Sequence, residues 1–221
     1  MLIAAALVQL ALSQAPLATD PDEAWLTSCV ARIETAAEAA YEDGMQWSSE
    51  TRRPAGWRCA AMALIEMGRV GEGARRLEAL GSPPDAGPPN MRAEILSQAG
   101  NAWLMAGDGL RAQATFSRAI QIMASDPEVS ADLLIDRARA FAMQGDWRLS
   151  EEDLSRSLDL RPNDPLALRL RAVARMNQNA FDLAEADAQA AALQAPTDIE
   201  TLLVLGQTRE ARRTGVAVVP Q

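Results

Sequence analysis

Histidine and lysine are both missing from this chain: all 21 basic side chains are arginine. Without imidazole, the usual His-bearing metal sites and the Ser-His or Cys-His nucleophile pairs are excluded. Cysteine occurs twice, at Cys29 and Cys59, with no CxxC spacing, so CxxC redox chemistry is absent as well. Aromatic residues are only 4%, and no basic run is interleaved with them. With a net charge of −9, this argues against a nucleic-acid binder, because phosphate binding needs a basic surface. β-branched residues are sparse and alanine is abundant, which favours helix throughout. No predominantly apolar run approaches the ~20 residues of a membrane span. Nothing in these patterns calls for a metal or a cofactor. What remains is a chain of 221 residues, 48% apolar and 23% charged, able to bury a core.

Leu2 to Leu12 is an uncharged, mostly apolar run with the length of a signal-peptide apolar region. Ser13-Gln14-Ala15 supplies small residues around a cleavage point, although no Lys or Arg precedes the run and Pro16 follows it. Residues 1–15 are therefore expected to be a signal peptide and the protein to be periplasmic or otherwise exported. The alternative is a cytoplasmic chain with a buried or frayed first helix. In an oxidising compartment an even cysteine count suggests one disulfide, Cys29–Cys59. The alternative is two buried thiols acting as small apolar residues.

Helical spacing then runs the length of the chain. Asp20-Pro21-Asp22 opens a helix carrying Trp25, Cys29 and Ile33. A second helix is expected from Ala36 to Trp47, followed by a polar connection over Ser48 to Arg53, so that 20–53 make a degenerate first pair. Trp57, Ala60, Ala61, Leu64 and Met67 recur at i, i+3, i+4, i+7 and mark one buried face. Helix pairs are expected over 54–80, 93–124, 131–164 and 165–198, then a single helix over 199–213 and a tail over 214–221. The run Gly81 to Asn90 is the strongest breaker and reads as a surface loop of about ten residues.

The turn residues Gly68, Gly107, Gly145 and Asn179 are spaced 39, 38 and 34 residues apart. A helix–turn–helix unit of about 34 residues is the tetratricopeptide period. Small residues fall where the two helices of a unit would cross: Ala61, Gly100, Ala138, Ala172 and Gly206. Others fall early in the second helix (Gly73, Ala112, Ser150, Ala184) and late in it (Leu80, Ala119, Ser157, Ala191). A large apolar column reads Trp57, Leu96, Leu134, Leu168 and Leu202, and prolines close two units at Pro162 and Pro196. From about Pro54 to Arg213 the chain resembles the tetratricopeptide (TPR) family. It departs from the pattern at Leu80, where a small residue is expected, at Arg137 and Arg171, in a column that usually holds Leu, and at Arg175, in place of an aromatic.

The resemblance implies an all-α fold: a right-handed superhelical solenoid of antiparallel helix pairs, with the first helix of each pair lining a concave face. It also implies a non-enzymatic scaffold that binds a peptide or protein partner there. Carried over column by column, the groove residues are Arg58 and Met62, then Asn101 and Met105, then Ile135, Arg139 and Met143, then Arg169, Val173 and Met176. Methionines give such a face adaptability, and the arginines suit carboxylates of a partner. The alternatives are packing between repeats for the methionines and a solvated face for the arginines. The family's carboxylate clamp is matched only at Asn101; its other positions read Ser97, Asp136, Leu166 and Leu170, without the basic members. Two further functions stay open: self-association through the terminal helices, and a carboxylate-only hydrolase drawing on Glu34, Glu38, Glu42, Asp43, Glu151, Glu152 and Asp153.

Overall fold

A computed structural model describes residues 21–218. The expected signal segment, the Asp20 cap and residues 219–221 of the tail lie outside them. Among the described residues there are eleven helices and no strand. They are α1 (Pro21–Ile33), α2 (Ala37–Thr51), α3 (Pro54–Glu66), α4 (Val70–Gly81), α5 (Pro89–Met105), α6 (Gly109–Ile122), α7 (Pro127–Met143), α8 (Trp147–Leu160), α9 (Pro165–Asn177), α10 (Phe181–Gln194) and α11 (Ile199–Thr214). From α2 onward each helix packs chiefly on its neighbours in sequence, the arrangement of a solenoid.

The turns inside the four full pairs are copies of one another. Gly68, Gly107, Gly145 and Asn179 all take the left-handed conformation, with φ of 78, 74, 79 and 61°. In each, the next residue's N–H reaches back five residues: Arg69 to Leu64, Asp108 to Trp103, Asp146 to Phe141, Ala180 to Arg175, at 2.8–2.9 Å. This satisfies a carbonyl orphaned at the helix end and reverses the chain in three residues. Helix starts are set by aspartates. Asp108, Asp126, Asp164 and Asp198 each accept from a first-turn N–H, and prolines follow Asp126 and Asp164 at the first helical position.

These caps move some expected boundaries. α5 starts at Pro89 and α7 at Pro127, each four residues before the expected start, because proline needs no N–H partner in a first turn. The breaker loop shrinks to residues 82–88, between Gly81 and Pro89. α2 continues to Thr51, leaving only Arg52 and Arg53 as the connection.

The small-residue columns are where helices meet. Ala61, Ala138 and Ala172 are no more than 1% exposed. At Gly100 a Cβ would stand 2.6 Å from the Phe116 ring. Leu80 is the exception: it is only partly buried, and its neighbour Gly81 is the buried residue, facing Leu96 and the Arg92 carbonyl. Ser157 keeps its buried place by donating to the Ala131 carbonyl at 3.1 Å. A tighter crossing went unread in the sequence: Gly44 of α2 lies on Gly56 of α3, and a Cβ on Gly56 would come closer to the Gly44 oxygen than a Cβ on Gly100 would to Phe116. At the C-terminal end Gly206 and Leu202 are exposed, since among the described residues no helix lies over that face of α11. Trp57 is also left exposed.

The two arginines in the leucine column are a paired substitution. Arg137 makes a two-pronged contact to Asp153, at 2.7 and 2.8 Å, and donates to Ser117 Oγ at 3.0 Å. One repeat later Arg171 grips Asp187, at 2.9 and 2.8 Å, and donates to Ser155 Oγ at 3.1 Å. Arg175 adds a third contact to Asp187 and one to Glu151, each 2.8 Å. In the two earlier repeats the matching positions are Ala60 with Arg76 and Ala99 with Thr115, so the arginine and its aspartate come and go together.

Candidate functional site

The concave side of α5, α7 and α9 carries a groove of about 590 Å³. Asn101 and Met105 enter it from α5, Arg139 and Met143 from α7, and Val173 from α9. The i, i+4 spacing puts each of the first two pairs on one helix face, a turn apart. Leu104, Ala142 and Leu170 complete an apolar floor, and Trp147 closes one end from the first turn of α8. Trp147 was missed in the sequence because it belongs to a second helix; its place directly after the Gly145-Asp146 turn was the available signal.

Polarity in this groove is concentrated in one triad. Arg139 donates to Asn101 Oδ1 and to Asp136 Oδ1, both at 3.2 Å, and Asn101 Nδ2 donates to Asp136 Oδ2 at 3.3 Å. Burial pushes the Asp136 carboxyl up; hydrogen bonds from Asn101 and Arg139 and the arginine charge offset only part of that. The Arg139 side chain is 47% exposed, so it keeps donors for a ligand while its base is held in place. Met105 is 68% and Met143 48% exposed, large apolar side chains left open to water on a built face.

Five of the expected groove residues lie outside this groove. Ile135 is 3% exposed and packs with Ala167 and Leu168, because α9 covers the first half of α7. Met176 is fully buried against Ala184 and Ala211, because α11 caps that end of α9. For these two, packing between helices is the role the structure supports. Arg169 is drawn out of the groove by Asp198 at 2.8 Å and Glu200 at 2.6 Å.

Arg58 and Met62 sit in a second groove of about 720 Å³ between α1, α3 and α5. It is separate because α1 does not pair squarely with α2; it leans on α3. The Cys29–Cys59 disulfide joins the two helices, with Cα atoms 6.3 Å apart and both cysteines fully buried. Trp25 stacks on Trp47 of α2, ring centres 4.9 Å apart. Arg58 is only 8% exposed and donates to Gln98 Oε1 at 2.9 Å and to Glu94.

The carboxylates weighed for hydrolysis do not converge. Glu34, Glu38 and Glu42 are exposed, and Glu38 and Glu42 lie along α2. Asp43 pairs with Arg32, Glu152 with Arg148, Asp153 with Arg137 and Glu151 with Arg175. Among the described residues no group of three or more His, Cys, Asp or Glu could hold a metal ion, and no helix is long and apolar enough to cross a membrane.

No family model and no curated protein matches the chain by sequence. Solved structures do match by shape. MamA (residues 41 to the end) from Desulfovibrio magneticus RS-1 superposes with a TM-score of 0.63 at 14% identity, over 80% of this chain and 95% of that one. A thermophilic TPR protein of Thermus thermophilus gives 0.54 at 20%, over 86% and 99%. The second TPR domain of human RPAP3, solved in complex with an HSP70 peptide, gives 0.50 at 22%, over 55% and 98%. The fold is TPR-like. At these identities the likeness is one of fold, and the TPR-like chain's groove residues have to be judged on their own chemistry.

Proposed function

We propose that this chain is a non-enzymatic interaction scaffold, and that the groove of α5, α7 and α9 holds an apolar segment of a partner protein. The observation that carries the reading is Met105 and Met143 standing open on either side of Arg139 in one groove. The methionines supply adaptable contact, and Arg139 takes a carboxylate or carbonyl of the same segment. A TPR domain of RPAP3 has been solved with an HSP70 peptide bound, which supports a groove of this architecture as a peptide site. The partner here differs from an acidic chaperone tail, since the clamp positions around Asn101 lack basic residues.

Selection of displayed random peptides against the full, oxidised chain tests this. The enriched peptides are expected to carry apolar anchors with one acidic group. Replacing Arg139→Glu together with Met143→Glu changes two half-open side chains and is expected to weaken a selected peptide at least roughly tenfold, about 1.4 kcal/mol. Equal affinity for both proteins sinks the groove assignment.

We further place the protein in the cell envelope as an adaptor or assembly factor. The apolar run over residues 2–12 and the use of both cysteines in one bridge support this, since disulfides persist in oxidising compartments. Intact-mass measurement of the natively produced protein checks both points: an uncut N-terminus with two free thiols overturns the placement. A second reading, end-to-end self-association, is favoured by Ile199, Leu202, Leu203 and Val216, which leave an apolar surface uncovered on and just after α11. Light scattering across concentration separates it from a monomeric adaptor.

A further inference from the structure

The groove under α1 has a chemistry of its own. α1 carries two stripes. Trp25, Cys29 and Ile33 recur every four residues and point into the α2–α3 packing, where Cys29 and Ile33 are buried. The adjoining stripe of Glu23, Leu26, Thr27 and Val30 lines the groove instead. Leu26 and Val30 are only partly buried by α3, so they form an apolar wall facing Met62 of α3 and Met91 of α5.

The charges around this wall are unequal. Three carboxylates line the groove, Asp22, Glu23 and Glu94, against one arginine, Arg58. Arg58 is buried and committed to Glu94 and Gln98, so its charge is not offered outward. Glu94 meets it through Oε1 and remains 61% exposed. Asp22 pairs with Arg53 at 3.5 Å from outside the groove. Glu23 is exposed on the open side of α1. The rim is therefore anionic above an apolar floor, the reverse of the groove beside it, where the rim charge is Arg139.

We propose that this is a second binding site, for a protein segment that presents apolar side chains together with a lysine or arginine, and that the Cys29–Cys59 bridge holds it together. An apolar stem lies along Leu26, Val30, Met62 and Met91 while the cationic head reaches Glu23 and Glu94, the split arrangement that long basic side chains adopt at a boundary with water. The bridge matters because α1 supplies a whole wall and lies only lightly on α2; the disulfide is its covalent tie to α3. The site thus exists in the oxidised chain and loosens in the reduced one. It does not depend on the α5–α7–α9 groove.

The methionines separate the two sites experimentally. With methyl-labelled methionine, the oxidised full chain is titrated with a synthetic helical peptide of leucine and lysine, and with the same peptide carrying glutamate for every lysine. The lysine peptide is expected to shift Met62 and Met91, with Met105 and Met143 moving less; the glutamate peptide leaves Met62 and Met91 in place. Glu23→Lys with Thr27→Lys, both exposed positions, is expected to weaken the lysine peptide at least roughly tenfold. Reductant, or Cys29→Ser with Cys59→Ser, is expected to have a similar effect at Met62 and Met91 only. Shifts confined to Met105 and Met143, equal shifts with both peptides, or unchanged affinity in the charge-reversal variant overturn the proposal. If the serine variant unfolds, the charge reversal decides alone.

Discussion

Replacing Asp153 by alanine is expected to be among the most damaging single changes outside the apolar core. Asp153 is 4% exposed and receives two N–H bonds from Arg137, whose side chain is 16% exposed. Without the carboxylate, Arg137 keeps only the Ser117 hydroxyl at 3.0 Å and the face of Phe141 at 5.8 Å. The guanidinium is then left without its counter-ion in a mostly buried place. Removing one partner of a buried pair costs about 3–5 kcal/mol. The residual exposure of Arg137 lets water reach one edge, which puts the expected loss near the lower bound, about 3 kcal/mol. The pair itself adds little against an apolar alternative, because two ions had to be desolvated to form it. Arg137→Leu combined with Asp153→Ala, which puts the family's usual leucine in that column, is therefore expected to recover most of the loss. Urea unfolding followed by far-UV circular dichroism and by tryptophan fluorescence, on the four proteins of the cycle, measures the coupling. A loss below about 1 kcal/mol for the alanine variant, or a double variant no better than the single, refutes the buried-charge reasoning.

Three other outcomes are expected. Cys29→Ser with Cys59→Ser opens a loop closed over a sequence separation of 30 and lowers stability by about 3.6 kcal/mol in the chain-entropy model, read as a lower urea midpoint. Gly44→Ala drives a Cβ to 2.7 Å from the Gly56 carbonyl and 3.0 Å from the Ala60 nitrogen; both are backbone, so a loss of about 1–3 kcal/mol and a lower Tm follow. Acid should loosen α11 first. The hydrogen bond from Arg212 holds Glu185 below its ordinary 4.5, and bonds from Thr201 hold Asp198 below 3.8. Carboxylates with depressed values contribute stability above their ordinary pKa and lose it as pH falls through the depressed one. Asp136 has the opposite sign, since burial raises it and protonation relieves α7. Amide exchange at pH 7 and pH 3 should show α11 losing more protection than α7; equal losses contradict the assignment.

The turns were legible because their cause is local. Gly68, Gly107, Gly145 and Asn179 stand where a left-handed residue is needed, and Asp164-Pro165 starts a helix by chemistry contained in two residues. The groove was legible in part. The positional columns brought Asn101, Met105, Arg139, Met143 and Val173 together. They misplaced Ile135 and Met176, because an apolar side chain at the same helical phase is groove or core according to which later helix lies over it. Arg137 and Arg171 looked like defects in the repeat when read one column at a time. Reading them with Asp153 and Asp187, sixteen residues on in both repeats, was the signal that could have explained them.

Helix content, the turn positions and the repeat period were determined by the sequence alone, since each rests on interactions within a few residues of the chain. The split of the concave side into two grooves of opposite rim charge was decided only by the tertiary structure. It follows from α1 lying against α3, where the Cys29–Cys59 disulfide holds it, while the stacked Trp25–Trp47 pair joins it to α2. That placement depends on contacts between residues tens of positions apart, and no local pattern encodes which of two neighbouring helices α1 will choose.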